Sequence, residues 1–264
     1  MLLLACLAGV AVAAPLLTPY APNASLDLLA LRSQAPSLSH PFGTDSYARD
    51  VLSRVLHGAR VSLAVSLLSV LLGLAVGTLY GAMTAFAGGG WSTALKRLLE
   101  VCLSVPRLLV LLAVGALVGP MSVPALVVLI GLTGWFTTAR QVADELEALR
   151  GREFTQAARA TGVRTMRLVA VHLLPHLLPL LVINGTFAVA NTIGLESGLS
   201  FLGLGIRPPT ASWGTILRDG AGVVETEWWL TVFPGVATLL AVLSCNVAGD
   251  ALRERFAPEH VAEP

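Results

Sequence analysis

Long apolar stretches separated by short polar intervals run through the whole chain. Residues 1–17, MLLLACLAGVAVAAPLL, are apolar throughout and reach the minimum length of a bilayer-spanning helix, about 17 residues. Ala11-Val12-Ala13 also fits a small-residue cleavage site, but no basic residue precedes the run, so a retained first helix is expected, with a cytoplasmic leader short or missing from this reading frame. Pro19, Pro22, Pro36 and Pro41 mark a polar loop. Residues 50–60 set charge against Val51, Leu52, Val55 and Leu56, the pattern of a short amphipathic helix on a membrane surface. Further spans are expected over 61–87, from about 101 to Val118 with Pro106 and Arg107 near the start, over 123–138, over about 176–195 and over 228–247. A turn at Gly119-Pro120 and a long Gly- and Pro-rich loop over 199–227 separate them. Trp228-Trp229 would mark a membrane interface. Gly73, Gly77 and Gly81 share one helical face, which fits either a close helix–helix seam or the ordinary tolerance of glycine in membrane helices.

The longest polar interval is 140–175, ARQVADELEALRGREFTQAARATGVRTMRLVAVHLLP. Its pattern predicts one short helix over 141–148, a break at Gly151, a second helix over 153–160 centred on Ala157-Ala158, a break at Thr161-Gly162, and a third helical run to Leu174 ahead of Pro175 and Pro179. Small residues leave room for a partner, and Arg159, Arg164 and Arg167 offer charge to it or to anionic headgroups. The pattern alone leaves a docking element and a solvated loop equally open.

Composition narrows the class. The chain is 55% hydrophobic and 12% charged, with mean hydropathy +0.77; soluble domains carry about 25% charged residues. One integral membrane domain follows. Net charge +1 without a basic stripe gives no sign of nucleic acid. Cys6, Cys102 and Cys245 lie in apolar segments and read as buried inert thiols. With six spans, the loops after the second and fourth spans plus the tail hold ten Lys and Arg residues, against six on the opposite side. That bias puts residues 140–175 and both termini in the cytoplasm.

Candidate chemistry is sparse. There is no phosphate loop of the G-x-x-x-x-G-K-[ST] kind, no H-E-x-x-H and no nucleophile–base pattern, so the chain reads as a non-enzyme with no ATP site or cofactor of its own. His172 and His176 stand four apart around Pro175 and read as interfacial residues, with no metal expected. Asn184, Asn191 and Glu196 are polar positions in or at the end of the fifth span. Lining a translocation path and hydrogen bonding between helices both fit the two asparagines, which share a face; Glu196 is expected at the outer interface.

Three blocks carry a family resemblance: HPFGTDSYARDVLSRVLHGARVSL at 40–63, REFTQAARATGVRTMRLVAVHLLPHLLP at 152–179, and LSFLGLGIRPPTASWG at 199–214. The second resembles the EAA loop of ABC-importer permeases, and the whole is similar to the dipeptide, oligopeptide and nickel branch of that family. The resemblance implies an all-α type I ABC importer transmembrane domain of about six helices: a first helix and extracytoplasmic loop over 1–41, the permease domain over 42–256 and a cytoplasmic tail over 257–264. It implies a bacterial or archaeal cytoplasmic membrane, a second homologous permease, two ABC ATPase subunits that hydrolyse ATP, a solute-binding protein outside, and surrounding lipid. Glu153, Gln156, Ala157, Ala158, Arg159, Gly162, Arg164, Arg167, Leu174 and Pro175 would couple to an ATPase. Phe201, Gly203, Gly205 and Trp213 would shape an extracytoplasmic loop touching the binding protein, with Phe201 and Trp213 as apolar anchors. Peptides, or a related solute such as a nickel complex, would be the cargo. Two positions depart from the family pattern: Gln156 stands where a glutamate is usual, and Ala48 where a glycine precedes the arginine. The competing class is a secondary transporter driven by an ion gradient, which would need coupling carboxylates within the spans.

Overall fold

The computed structural model describes residues 2–18, 20–163 and 167–256. Among them are nine α-helices: α1 Leu2–Leu17, α2 Val51–Phe86, α3 Gly90–Ser104, α4 Arg107–Val118, α5 Val123–Arg150, α6 Glu153–Ala160, α7 Leu174–Phe201, α8 Trp213–Gly220 and α9 Trp229–Phe256. A π-helical segment, Leu168–Leu173, leads into α7.

Four of these are long and apolar enough to cross a bilayer: α2, α5, α9 and the stretch Val171–Phe201 that contains α7. The expected third span is instead a pair, α3 and α4, bent by 71°. The cause is local: Val105 precedes Pro106 and takes an extended conformation (φ −88°, ψ 123°), because the proline ring crowds the helical region of the residue before it. The helix α1, at 16 residues, is about 24 Å long and falls short of a hydrocarbon core of about 30 Å. The six spans expected from the apolar runs thus become four full spans, one broken span and one shorter apolar helix.

Residues 50–60 are not a separate surface helix. They are the first turns of α2, whose 36 residues make a rod of about 54 Å, far longer than the bilayer needs. Asp50 caps it, accepting the Ser53 N–H at 2.8 Å, and His40 Nδ1 lies 2.9 Å from Asp50 Oδ1. Arg54 faces inward rather than toward lipid: its Nη1 donates to Asp45 at 2.5 Å and to Asp219 at 2.9 Å. The preceding loop folds onto α9, with Phe42 stacked on Phe233 at 3.8 Å and Trp229 Nε1 donating to the Thr44 carbonyl.

The bundle centres on the pairing of α2 with α5. Gly77 and Gly81 lie on the seam: a Cβ at 77 would stand 2.7 Å from Thr138 Cβ, and one at 81 would stand 2.6 Å from the Ala139 carbonyl oxygen. Close approach, not simple tolerance, accounts for these glycines. Three apolar clusters run along the bundle. One, at the Asp50 end, gathers Val51, Val55, Trp213, Trp229 and Leu230. The middle one gathers Val65, Leu126, Ile130 and Leu199. The third, at the Gly151 end, gathers Leu146, Leu149, Leu168, Leu173 and Leu177. Outward leucines such as Leu67, Leu71, Leu79 and Leu117 stay exposed, as a lipid-facing surface requires.

The loop over 199–227 contains α8, closed at its start by a capping box between Ser212 and Thr215. The last long helix runs on to Phe256, so Asp250, Arg253 and Arg255 are helical; residues 257–264 lie outside the described residues. Cys245 is buried, but Cys102 is half-buried and Cys6 exposed, so burial holds for one thiol of three.

Candidate functional site

The Gly151 end carries a compact projecting element. The fifth helix runs unbroken from Val123 to Arg150, so residues 141–148 are its last turns and not a separate helix. Gly151 closes it, its N–H bonded to Ala148 O. Arg150 anchors the end, donating to the Ala85 carbonyl and lying over the Phe86 ring. The turn into α6 is fixed by the Thr155 hydroxyl, fully buried and donating to Leu149 O at 2.8 Å. Thr155 and Ala158, three apart, face the bundle, while Glu153, Gln156, Ala157 and Ala160 face outward. Phe154 stacks on His176 at 5.0 Å, tying α6 to the start of α7.

Gln156 has a structural reason to be an amide. Its Nε2 donates to Gly151 O at 3.1 Å, a bond that an ionised glutamate cannot make. Gly162 follows α6 with φ +80°, the left-handed region that glycine enters freely, and among the described residues nothing stands within 4 Å of where its Cβ would be. Arg167 is exposed. Arg164 lies outside the described residues, and the side chain of Arg159 is not among those described. Leu174 packs on the third apolar cluster, and Pro175 occupies the first turn of α7, where its missing N–H costs little. His176 Nδ1 lies 2.7 Å from its neighbour's carbonyl, His172 O, and no metal-binding group forms among the described residues.

The three interior candidates part company. Asn184 is half-buried and donates to Gln141 Oε1 of α5 at 3.1 Å; Asn191 is exposed. Glu196 corrects the expectation of an interfacial carboxylate. It is fully buried, accepting the Ser62 hydroxyl at Oε2 and the Ser200 hydroxyl at Oε1, each at 2.8 Å.

At the Asp50 end, one of the two apolar anchors expected for the 199–214 loop is buried. Trp213 is 1% exposed and donates from Nε1 to Val55 O at 3.1 Å. Phe201 is 44% exposed, contrary to the apolar anchor expected there. Gly203 has φ +80°, and a Cβ there would collide with the Arg218 guanidinium. Gly205 O accepts the Met121 N–H at 2.7 Å, binding the loop to the α4–α5 turn. Sequence reasoning missed the Asp45–Arg54–Asp219 network, in which Arg54 and Asp219 lie 165 residues apart, as well as Gln141 and the serines around Glu196. A charged residue close to an apolar run was the available signal for Arg54.

Comparison with known proteins agrees with this geometry. Residues 62–259 match the family model described as binding-protein-dependent transport system inner membrane component. A candidate peptide permease protein of Brucella suis biovar 1 is 43% identical over 92% of this chain and 80% of its own length. The dipeptide transport system permease protein DppC of Bacillus subtilis is 34% identical over 94% of this chain and 77% of its own. Two crystal forms of the inward-facing MetNI methionine ABC transporter superpose with TM-scores of 0.58 and 0.59, covering 75% and 79% of this chain and 96% and 98% of theirs, at 19% and 18% identity. The fold is therefore that of a type I ABC importer transmembrane subunit, and the chain belongs to the family of binding-protein-dependent transport system inner membrane components.

Proposed function

We propose that this chain is one transmembrane half of an ATP-driven peptide importer. It pairs with a second permease, and two ATPase subunits dock on residues 152–167. A solute-binding protein delivers cargo at the Asp50 end, and the Gly151 end faces the cytoplasm with both termini. The observation that carries the reading is α6 itself. It presents a small, polar face of Glu153, Gln156, Ala157 and Ala160 on a base fixed by the Thr155 bond and the Phe154–His176 stack. A rigid element with a low-relief face can transmit a push from a partner to α5 and α7 at once. The names of the relatives favour peptides over a nickel complex. An ion-gradient carrier is not favoured, because Glu196 is sealed among serines rather than open to a path.

The test is purification of the tagged chain from its native membrane, followed by uptake in proteoliposomes. Two ATPase subunits and a second permease should co-purify, and transport should require ATP. Gly162→Asp should insert normally, yet lose both the ATPase subunits and uptake. A lone chain that transports without ATP, or a Gly162→Asp variant with normal uptake, would overturn the reading.

A further inference from the structure

Arg107 brings a full positive charge into the apolar interior. It is the first residue of α4, immediately after the break at Val105-Pro106. Its half-buried side chain crosses to α5, where Nη2 donates to Ile130 O at 2.7 Å and Nε reaches Thr133 Oγ1 at 3.4 Å. Thr133 lies about 15 Å along α5 from Val123 and about 10 Å short of Arg140, the first charged residue of that helix. This is hydrocarbon depth, where ionisable side chains face a bundle interior or a path.

The charge has no counter-ion among the described residues. Among the described residues the carboxylates pair with His40, Arg49, Arg54, Lys96 and Arg97, and none with Arg107. A guanidinium has five N–H donors; Ile130 and Thr133 engage two, and Nη1 has no partner among the described residues. The positive end of the α4 dipole adds to the local potential.

The surroundings leave room for a ligand. Arg107, Thr133, Gly134 and Thr137 border a cavity of about 400 Å³, within the usual range for small-molecule sites of roughly 300–1,000 Å³. Arg107 also borders a partly open space of about 30 Å³ whose lining includes Ser69, Thr138 and Thr192, at the meeting of α2, α5 and α7. Gly134 makes the placement possible: a Cβ there would stand 2.8 Å from Nη2 and 3.1 Å from Cζ. From this point Thr138 and Gln141 continue along α5, and Gln141 meets Asn184 of α7, so a polar track leads away from the guanidinium toward the Gly151 end.

We propose that Arg107 binds the carboxylate of the transported solute, the C-terminal carboxylate of a short peptide, as it passes through the membrane. This deepens the peptide-importer reading and rests on it. The planar fork of arginine suits a carboxylate at two donors at once, which lysine cannot reproduce.

The test uses the whole importer with its companion subunits, carrying Arg107→Gln, Arg107→Lys or Gly134→Ala. Radiolabelled dialanine is titrated onto the nucleotide-free complex with the binding protein omitted, beside dialanine amide, which lacks the carboxylate. Arg107→Gln, which can still donate to Ile130 O, should weaken dialanine binding about tenfold or more and leave the weak binding of the amide unchanged. Arg107→Lys should fall between, and Gly134→Ala should follow Arg107→Gln. Equal dialanine binding by wild type and Arg107→Gln, or none by wild type, overturns the assignment. Loss of the second permease from the Arg107→Gln complex would mean that the guanidinium pairs with a carboxylate of that subunit, which also overturns it. Dialanine and trialanine uptake by the same wild-type complex reads the peptide reading separately: wild type importing both, with Arg107→Gln binding normally, sinks only the present inference.

Discussion

Ser62 Oγ donates to Glu196 Oε2 at 2.8 Å and accepts the backbone N–H of Trp213 at 3.2 Å. One hydroxyl thus joins α2, α7 and the start of α8. The other carboxylate oxygen takes the Ser200 hydroxyl, and Ser200 in turn accepts the Ile206 N–H at 3.2 Å. The folded 199–214 loop is therefore suspended from a buried acid that has no cationic partner among the described residues. Truncation and neutralisation should separate. Glu196→Ala strands two buried hydroxyls and should cost about 1–3 kcal/mol. Glu196→Gln keeps the shape, and the serine hydroxyls can rotate to meet an amide; it should stay within about 1 kcal/mol of wild type. Thermal unfolding of the detergent-purified protein checks the order, and a Glu196→Ala variant as stable as wild type would refute it.

The ion network at the head of α2 makes a second, graded prediction. Asp45 is buried and holds Arg49 at 2.7 Å and Arg54 at 2.5 Å, and its other oxygen accepts the Tyr47 and Arg49 N–H groups. Removing one member of a buried pair costs about 3–5 kcal/mol, because the survivor is left uncompensated. Asp45→Asn strips both arginines and should approach the upper figure. Arg54→Gln leaves Asp45 with Arg49 and should sit at or below the lower one. Asp219 is one-third exposed, so Asp219→Asn should cost well under either. The three melting temperatures should rise in that order, with Asp45→Asn the lowest.

Packing of α2 on α5 gives a third. Gly81→Ala places a methyl 2.6 Å from the Ala139 carbonyl oxygen and 2.8 Å from Val142 Cβ. Backbone cannot yield as a flexible side-chain tip can, so the helices must part, at a cost of about 1–3 kcal/mol. Gly81→Val should reduce folded yield further. Gly88→Ala, with nothing within 4 Å of the new methyl, is the matched control and should be silent. Size-exclusion profiles in detergent report the yields.

The apolar runs were sufficient to place α2, α5, α7 and α9, because a membrane span is written in consecutive residues. The layout of 151–162 was legible for the same reason: Gly151, Ala157-Ala158 and Thr161-Gly162 are local signals, and α6 ends where they put it; of the third expected run, residues 164–166 lie outside the described residues and Leu168–Leu173 is π-helical. What escaped was set by partners distant in sequence. Charge on residues 50–60 looked like a surface stripe until Asp45 and Asp219 closed around Arg54. Glu196 looked interfacial from its place near a span end, and only Ser62, 134 residues away, shows it to be enclosed. Helix α8 was hidden in text rich in glycine and proline, although Ser212 and Thr215 carry its cap. Arg107 was visible as a charge beside an apolar run, but its reach across Gly134 to Ile130 is a tertiary fact.

The amide at position 156 yields the last prediction. Gln156 Nε2 donates to Gly151 O, the carbonyl of the residue that closes α5. Restoring the family glutamate by Gln156→Glu removes that donor and sets a carboxylate near the negative end of the α5 dipole. Both changes act at an exposed site, so the thermodynamic cost should be small, about 0.5 kcal/mol, and the melting temperature should barely move. The effect belongs in the coupling instead, because the bond adds to the Thr155 contact in holding the angle at which α6 leaves α5. With the Phe154–His176 stack intact, Gln156→Glu should keep its ATPase subunits but transport fewer solute molecules per ATP hydrolysed. Gln156→Ala, which loses the donor without adding charge, should show the same defect. Uptake and phosphate release measured on one proteoliposome preparation give the ratio. An unchanged ratio in both variants would show that the docking angle does not depend on this amide.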